Sequence, residues 1–214
     1  METNKLDDLI IRKIKDEDIE KIVAISTVSF GDPEIPFKRK HFESQLEVFP
    51  EGQLCVEYQG EVVGSCNSVI VNFDEYGDEH SFDEIADKGF IRNHNPNGRN
   101  LYGTEVVVDP NRRSLGIGRK LYEGRQAICR KFNLESILFG GRIPNFHKYA
   151  DRLSVEEYCQ QVIQGEIYDP VFTFQLRNGF KLRAIMENYL PKDLESLKYA
   201  TLMEWHNPDY RSNE

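Results

Sequence analysis

The sequence predicts an α/β fold, and three observations carry that prediction. The run Val106-Val107-Val108-Asp109-Pro110-Asn111-Arg112-Arg113-Ser114-Leu115-Gly116-Ile117-Gly118-Arg119-Lys120 reads as an apolar strand, a glycine-containing turn and a helix with a basic start. Ser136 to Phe139 reads as the next strand, so strand, helix and strand make one βαβ unit, right-handed and with its ligand at the carboxyl end of the strand. Upstream, Leu54 to Tyr58, the turn Gln59-Gly60 and Glu61 to Cys66 give a hairpin signal.

In chain order, Leu9 to Ile14 is a short apolar strand, and Asp16 or Asp18 caps a helix with Ile19, Ile22, Val23 and Ile25 at helical spacing. Gly31-Asp32-Pro33 breaks that helix, and Arg39 to Phe49 forms a second one, closed by Pro50-Glu51-Gly52. After the hairpin, Val69 to Phe73 continues its second strand. Residues 74–100 form a long acidic and polar loop, with a short helix near Phe82 to Lys88. Loops of this length in a compact domain are functional or mobile. Asp74, Glu75, Asp78, Glu79, Asp83, Glu84 and Asp87 read either as an acidic wall for a cationic substrate or as a solvated excursion.

Leu101 to Val108 is the central strand, and its valine run predicts burial on both faces, as in parallel pairing. The helix opened by Gly116 puts Ile117, Leu121, Ile128 and Phe132 on one side, with Arg119, Lys120, Arg125, Arg130 and Lys131 elsewhere on its surface. Residues 142–168 read as a helical insertion. Ser154 and Glu157 make a capping box there, and Gly165 ends the helix. Asp169-Pro170 starts a further helix that runs to Gly179. Phe180 to Ile185 and Ala200 to Trp205 are closing strands.

The 214 residues fit one domain, 39% hydrophobic and 29% charged, as expected of a soluble protein. No apolar run approaches the ~20 residues of a membrane span. The acidic, polar start Met1 to Asp8 does not read as a secretory signal. Cys55, Cys66, Cys129 and Cys159 are scattered, which predicts reduced thiols in a cytoplasmic protein and no metal site. A net charge of −9 argues against nucleic acid as a partner.

The glycine turn is the feature that carries chemistry. Unpaired amides and the positive end of a helix dipole converge there, a natural seat for a phosphate. The pattern lacks the spacing of a P-loop, and Gly116-Ile117-Gly118 lacks the third glycine of a dinucleotide fingerprint. What remains is Arg-x-x-Gly-x-Gly, Arg113-Ser114-Leu115-Gly116-Ile117-Gly118. This resembles the GCN5-related N-acetyltransferase (GNAT) family. Ile11 to Ile19 looks like the opening strand and first helix of that family, and Arg177-Asn178-Gly179-Phe180 like its last helix turning into a strand. The insertion and the ending Tyr199 to Trp205 resemble the acetyltransferase modules found beside nitrilase-type amidohydrolases, although no amidohydrolase follows in this sequence.

The resemblance implies a mixed, mostly antiparallel central sheet with a splayed parallel strand pair and flanking helices. It implies acetyl-CoA as cosubstrate, an amine acceptor (a small molecule or a protein lysine) and no metal. Homodimers are common in similar proteins. Cofactor binding is expected at Val106, Val107, Val108, Arg113, Ser114, Leu115, Gly116, Ile117, Gly118 and Arg119. Glycines at 116 and 118 let the pyrophosphate approach the backbone, and the amides of Val106 to Val108 are expected to polarise the thioester carbonyl. Glu105 is the expected general base, because an alkyl amine attacks only after losing its proton. A tyrosine usually reprotonates the CoA thiolate in this family, but Gln175 stands about where it is expected. Tyr168 is the substitute candidate, with Tyr149 and Tyr158 weaker; His147 and His94 stay outside the expected site. The implied activity is N-acetyl transfer by direct attack on the thioester. The alternative is a non-catalytic acyl-CoA-binding sensor or partner-docking module.

Overall fold

The chain is described by a computed structural model that covers residues 8–30 and 35–212. The acidic start over residues 1–7 and the expected break at Gly31-Asp32-Pro33 lie outside the described residues. Strand β1 spans Leu9–Lys13, and helix α1 spans Ile19–Phe30 after one 3-10 turn. Asp18 fixes that entry by accepting from the Lys15 amide at 2.8 Å and pairing with Arg12 at 2.7 Å. Helix α2 covers Arg39–Val48. Strands β2 (Leu54–Tyr58) and β3 (Glu61–Val71) turn at Gln59 and Gly60, which both take positive φ, as a tight hairpin of this twist requires.

The acidic loop carries the short helix α3 over Phe82–Ile85, capped by Ser81 and Glu84. Then follow β4 (Asn100–Val108), α4 (Ile117–Lys131), β5 (Ser136–Arg142), α5 (Val155–Gln164), α6 (Phe172–Arg177), β6 (Lys181–Met186) and β7 (Ala200–His206). The insertion is bound into the core. Val155, Tyr158, Cys159 and Val162 of α5 are buried, and the Tyr158 hydroxyl donates to Asp169 Oδ2 at 2.7 Å. Asp169 Oδ1 accepts the amides of Val171 and Phe172, so it caps α6 although regular helix begins only at Phe172.

One seven-stranded sheet runs in the order β1-β2-β3-β4-β5-β7-β6. Every neighbouring pair is antiparallel except β4 and β5. That parallel pairing extends only from Asn100 to Tyr102 against Ser136 to Leu138. Beyond it β4 stays with β3 and β5 stays with β7, so the sheet opens as a fork. The valine run therefore departs from expectation. Val106 to Val108 pair only with Cys66 to Gly64 of β3, antiparallel, and only Val107 is buried. Their other edge borders the fork. Among the described residues no helix is long and apolar enough to cross a membrane.

Candidate functional site

The fork opens into a cleft of about 850 Å³. Its walls include Gly103 to Val108 of β4, Phe139 to Arg142 of β5, the turn from Arg112 to Arg119, and parts of α1, α4 and α6. The structure brings Glu105, Val106, Val107, Val108, Arg113, Ser114, Gly116, Ile117, Gly118, Arg119 and Tyr168 to this one cavity. Leu115 is the exception: it packs against the hydrophobic core.

Local geometry explains the turn. Gly116 has φ +83° and Ser114 φ +68°, which bend the chain sharply into α4. The first backbone bond at the helix entrance runs from Lys120 N to Gly116 O at 3.0 Å, so the amides of Ile117, Gly118 and Arg119 precede any helical acceptor. Gly118 has a packing reason as well. A Cβ there would come within 2.9 Å of the Phe174 ring. Both glycines thus serve the fold as well as any ligand.

Glu105 lies deeper, only 7% exposed. Its Oε1 accepts from Ser26 Oγ of α1 at 3.0 Å, and its Oε2 is buried without a hydrogen-bond partner. Burial lifts the carboxyl from an ordinary 4.5 to about 7, against the opposing pull of Ser26 and the Phe37 backbone. No salt bridge to Glu105 is present among the described residues, so it is not an ordinary structural ion pair.

A bulge sets its direction. Asn67 pairs with Glu105 and Ser68 with Gly103, so Thr104 is the extra residue. Arg125 bonds across this bulge, with Nε to Ser68 Oγ at 3.1 Å and Nη2 to Asn67 O at 3.0 Å and Glu105 O at 2.9 Å. The sequence predicts Arg125 on the surface of α4; it is 1% exposed instead. The missed signal is its spacing, since 121, 125 and 128 share one helix face. Among the described residues, three polar side-chain atoms on the cavity wall are buried and unpartnered: Thr104 Oγ1, Glu105 Oε2 and Gln175 Oε1. Such atoms call for a ligand or water.

The candidates for thiolate protonation separate clearly. Tyr168 is at the rim, 62% exposed. Tyr158 is committed to Asp169, and Tyr149 packs against Tyr158 with ring centres 5.4 Å apart, neither in the cleft. Gln175 is buried on the wall. A tyrosine that the sequence did not single out, Tyr189, also lines the cavity. Tyr102 and Tyr189 share a hydroxyl hydrogen bond of 2.9 Å, and His80 Nε2 lies 2.8 Å from the Tyr102 hydroxyl. His147 is exposed outside the cleft, and His94 stacks on Phe49 away from it.

The acidic loop does not supply an acidic wall. Of residues 74–100 only Phe82 lines the cavity. Asp74 pairs with Arg99, Asp78 with Arg183 and Asp87 with Arg92, while Glu84 caps α3. Local arginines and helix ends satisfy these charges, so they have no reason to face a substrate.

The acetyltransferase (GNAT) family matches residues 19–150. "Uncharacterized N-acetyltransferase YkwB" of Bacillus subtilis is 37% identical over 210 residues, covering 97% of this chain and 92% of YkwB. "Probable hydrolase YhcX" of the same organism is 54% identical over 202 residues, but these make up 94% of this chain and only 39% of YhcX. The loading GNATL domain of CurA from Lyngbya majuscula superposes with a TM-score of 0.81 at 20% identity, covering 93% of this chain and 98% of that domain. At that identity the likeness concerns the fold.

Proposed function

We propose that this chain, which belongs to the acetyltransferase (GNAT) family, works as one N-acetyltransferase domain that moves an acetyl group from acetyl-CoA to an amine. The acceptor is a small-molecule amine or a protein lysine. In this reading the amides at the start of α4 hold the pyrophosphate, with Arg113 and Arg119 adding charge. The pantetheine lies along Val106 to Val108, whose fork-side edge has no strand partner among the described residues. Backbone N–H groups there polarise the thioester carbonyl. Four buried free thiols fit a reducing compartment such as the cytoplasm.

Glu105 carries the proposal. At neutral pH only about one alkyl amine in a few thousand is unprotonated. A carboxyl held near 7 with one unpartnered oxygen on the cavity wall is suited to take that proton, directly or through one water. The neutral nitrogen attacks the carbonyl carbon, the C–N bond forms and the C–S bond breaks. Glu105→Gln keeps the shape and removes the base. It is expected to lower kcat about a hundredfold or more with acetyl-CoA binding unchanged, measured by CoA release and by calorimetry. Undiminished turnover would remove Glu105 from this role.

One observation supports a second reading. Gln175 occupies the wall where a proton donor is expected, which suits a non-catalytic acyl-CoA sensor or docking module. Acetyl-CoA binding with no CoA release across a broad amine panel would favour it.

A further inference from the structure

Arg125 has the largest fully buried side chain of the described residues, and no carboxylate pairs with it there. A guanidinium does not lose its proton in a protein, so this is a permanent buried charge. Burying a charge without a counter-charge is costly. Three oxygens offset part of that cost through Nε and Nη2. Nη1 makes no hydrogen bond among the described residues. It lies over Gly103, where a Cβ would approach it within 2.7 Å. Gly103 is the first residue past Tyr102, the last of β4 paired with β5. The unspent donor therefore sits at the apex of the fork. Phe139 of β5 lies under the guanidinium with its ring centre 5.8 Å away, and both residues line the cavity.

This position bears on the missing proton donor. The Gln175 carboxamide cannot release a proton, and Tyr168 stands at the solvent-exposed rim. We propose that Arg125 receives the departing CoA sulfur, so that it leaves as a thiolate beside a fixed positive charge and needs no acid at position 175. The inference rests on the acetyl-transfer reading above. The step balances without another reactant. The first proton of the ammonium passes through Glu105 to water before attack; ionised Glu105 then takes the second proton from nitrogen as the C–N bond forms, the electron pair of the C–S bond stays on sulfur, and the products are amide, protonated Glu105 and thiolate. Solvent later takes the Glu105 proton and protonates the released CoA.

The ionisable groups around the guanidinium are Glu105 on β4, Cys66 on β3 and Tyr122 on α4 itself. The charge on Arg125 already opposes the upward push of burial on the Cys66 thiol and the Tyr122 hydroxyl. A cofactor thiol at the fork is open to the same pull.

The test is an ultraviolet titration of reduced CoA bound to the wild-type protein, with the desulfo-CoA complex subtracted. The bound thiol is expected to ionise at least one pH unit below free CoA, a tenfold or greater gain in the thiolate-to-thiol ratio. Arg125→Met should abolish that shift and Arg125→Lys should retain part of it. A wild-type midpoint at or above that of free CoA overturns the proposal even if the Met variant does not fold. An unchanged midpoint in a folded Arg125→Met protein also overturns it. Failure to transfer acetyl to any amine sinks the acetyl-transfer reading while the thiol titration still decides this one; failure to bind CoA sinks both.

Discussion

Glu105 combines two demands that oppose each other in stability. The proposed role of general base calls for a carboxyl with a raised pKa, and burial raises it by disfavouring the charged form in the folded state. The unfolded chain titrates near the ordinary 4.5 and the folded chain near 7. Between these values the folded state binds more protons, so stability falls as pH rises through the window and levels off above it. The full difference is on the order of 3 kcal/mol. Glu105→Gln cannot titrate. It is expected to melt above wild type at pH 8 and to show no advantage at pH 4.5. Thermal melts of both proteins across that range check this, and the difference cancels contributions from His41, His80 and His94, which titrate alike in both. Parallel melting curves would show that the Glu105 carboxyl is not buried as described. At this scale the sequence was partly legible. A lone carboxylate on the central strand stood out, but its partner Ser26 lies 79 positions away and no local pattern joins them. Arg125 departs from the rule that a charged residue seeks water, because the spacing of Leu121, Arg125 and Ile128 sets it on the buried face.

The elements were legible where local chemistry decides them. Glycine at 116, the capping box at Ser154 and the Gln59-Gly60 turn each determine local backbone geometry by themselves. The fork was not legible from the residues of β4. A valine run looks alike whether a protein strand or a ligand covers its open edge. The bulge at Thr104 is set by pairing with β3 and by Arg125, which fills the space beside Gly103; a lone glycine in a strand does not by itself announce that shift of register. Gly116→Val tests the turn. A β-branched side chain at φ +83° is strained by about 1–2 kcal/mol, which should displace the amides of residues 117–119. The expected outcome is a lower Tm together with acetyl-CoA affinity reduced by at least tenfold, read by melting and calorimetry. A destabilised variant that binds the cofactor normally would make the glycine a folding residue only.

At the scale of the whole molecule, net charge and local charge point in opposite directions. The chain carries −9 overall, yet Arg112, Arg113, Arg119, Arg125, Arg142 and Arg177 line the cleft against only Glu105 and Glu195 among the described residues. The surplus of acid is spread over outer surfaces, including a loop in which Asp87, Asp74 and Asp78 are held by Arg92, Arg99 and Arg183. What that loop brings to the cleft is Phe82, backed by the ring of Tyr189 at 6.0 Å. Phe82→Ala should therefore raise the KM for the amine, whereas Asp83→Asn should leave it unchanged; the reverse result in steady-state kinetics would restore an electrostatic role for the loop. The same separation of charge governs the approach of the cofactor. Judged by net charge alone, a polyanionic CoA is repelled, and added salt would tighten binding by screening that repulsion. Judged by the arginine-lined cleft, CoA is drawn in, and salt weakens binding. Screening acts over about 10 Å at 0.1 M salt, so the arginines nearest the phosphates decide the sign. The Kd for acetyl-CoA is accordingly expected to rise several-fold between about 0.02 and 0.5 M sodium chloride. Calorimetric titrations across that range measure it. A Kd that stays flat or falls would mean that the arginine charges are neutralised before the cofactor arrives.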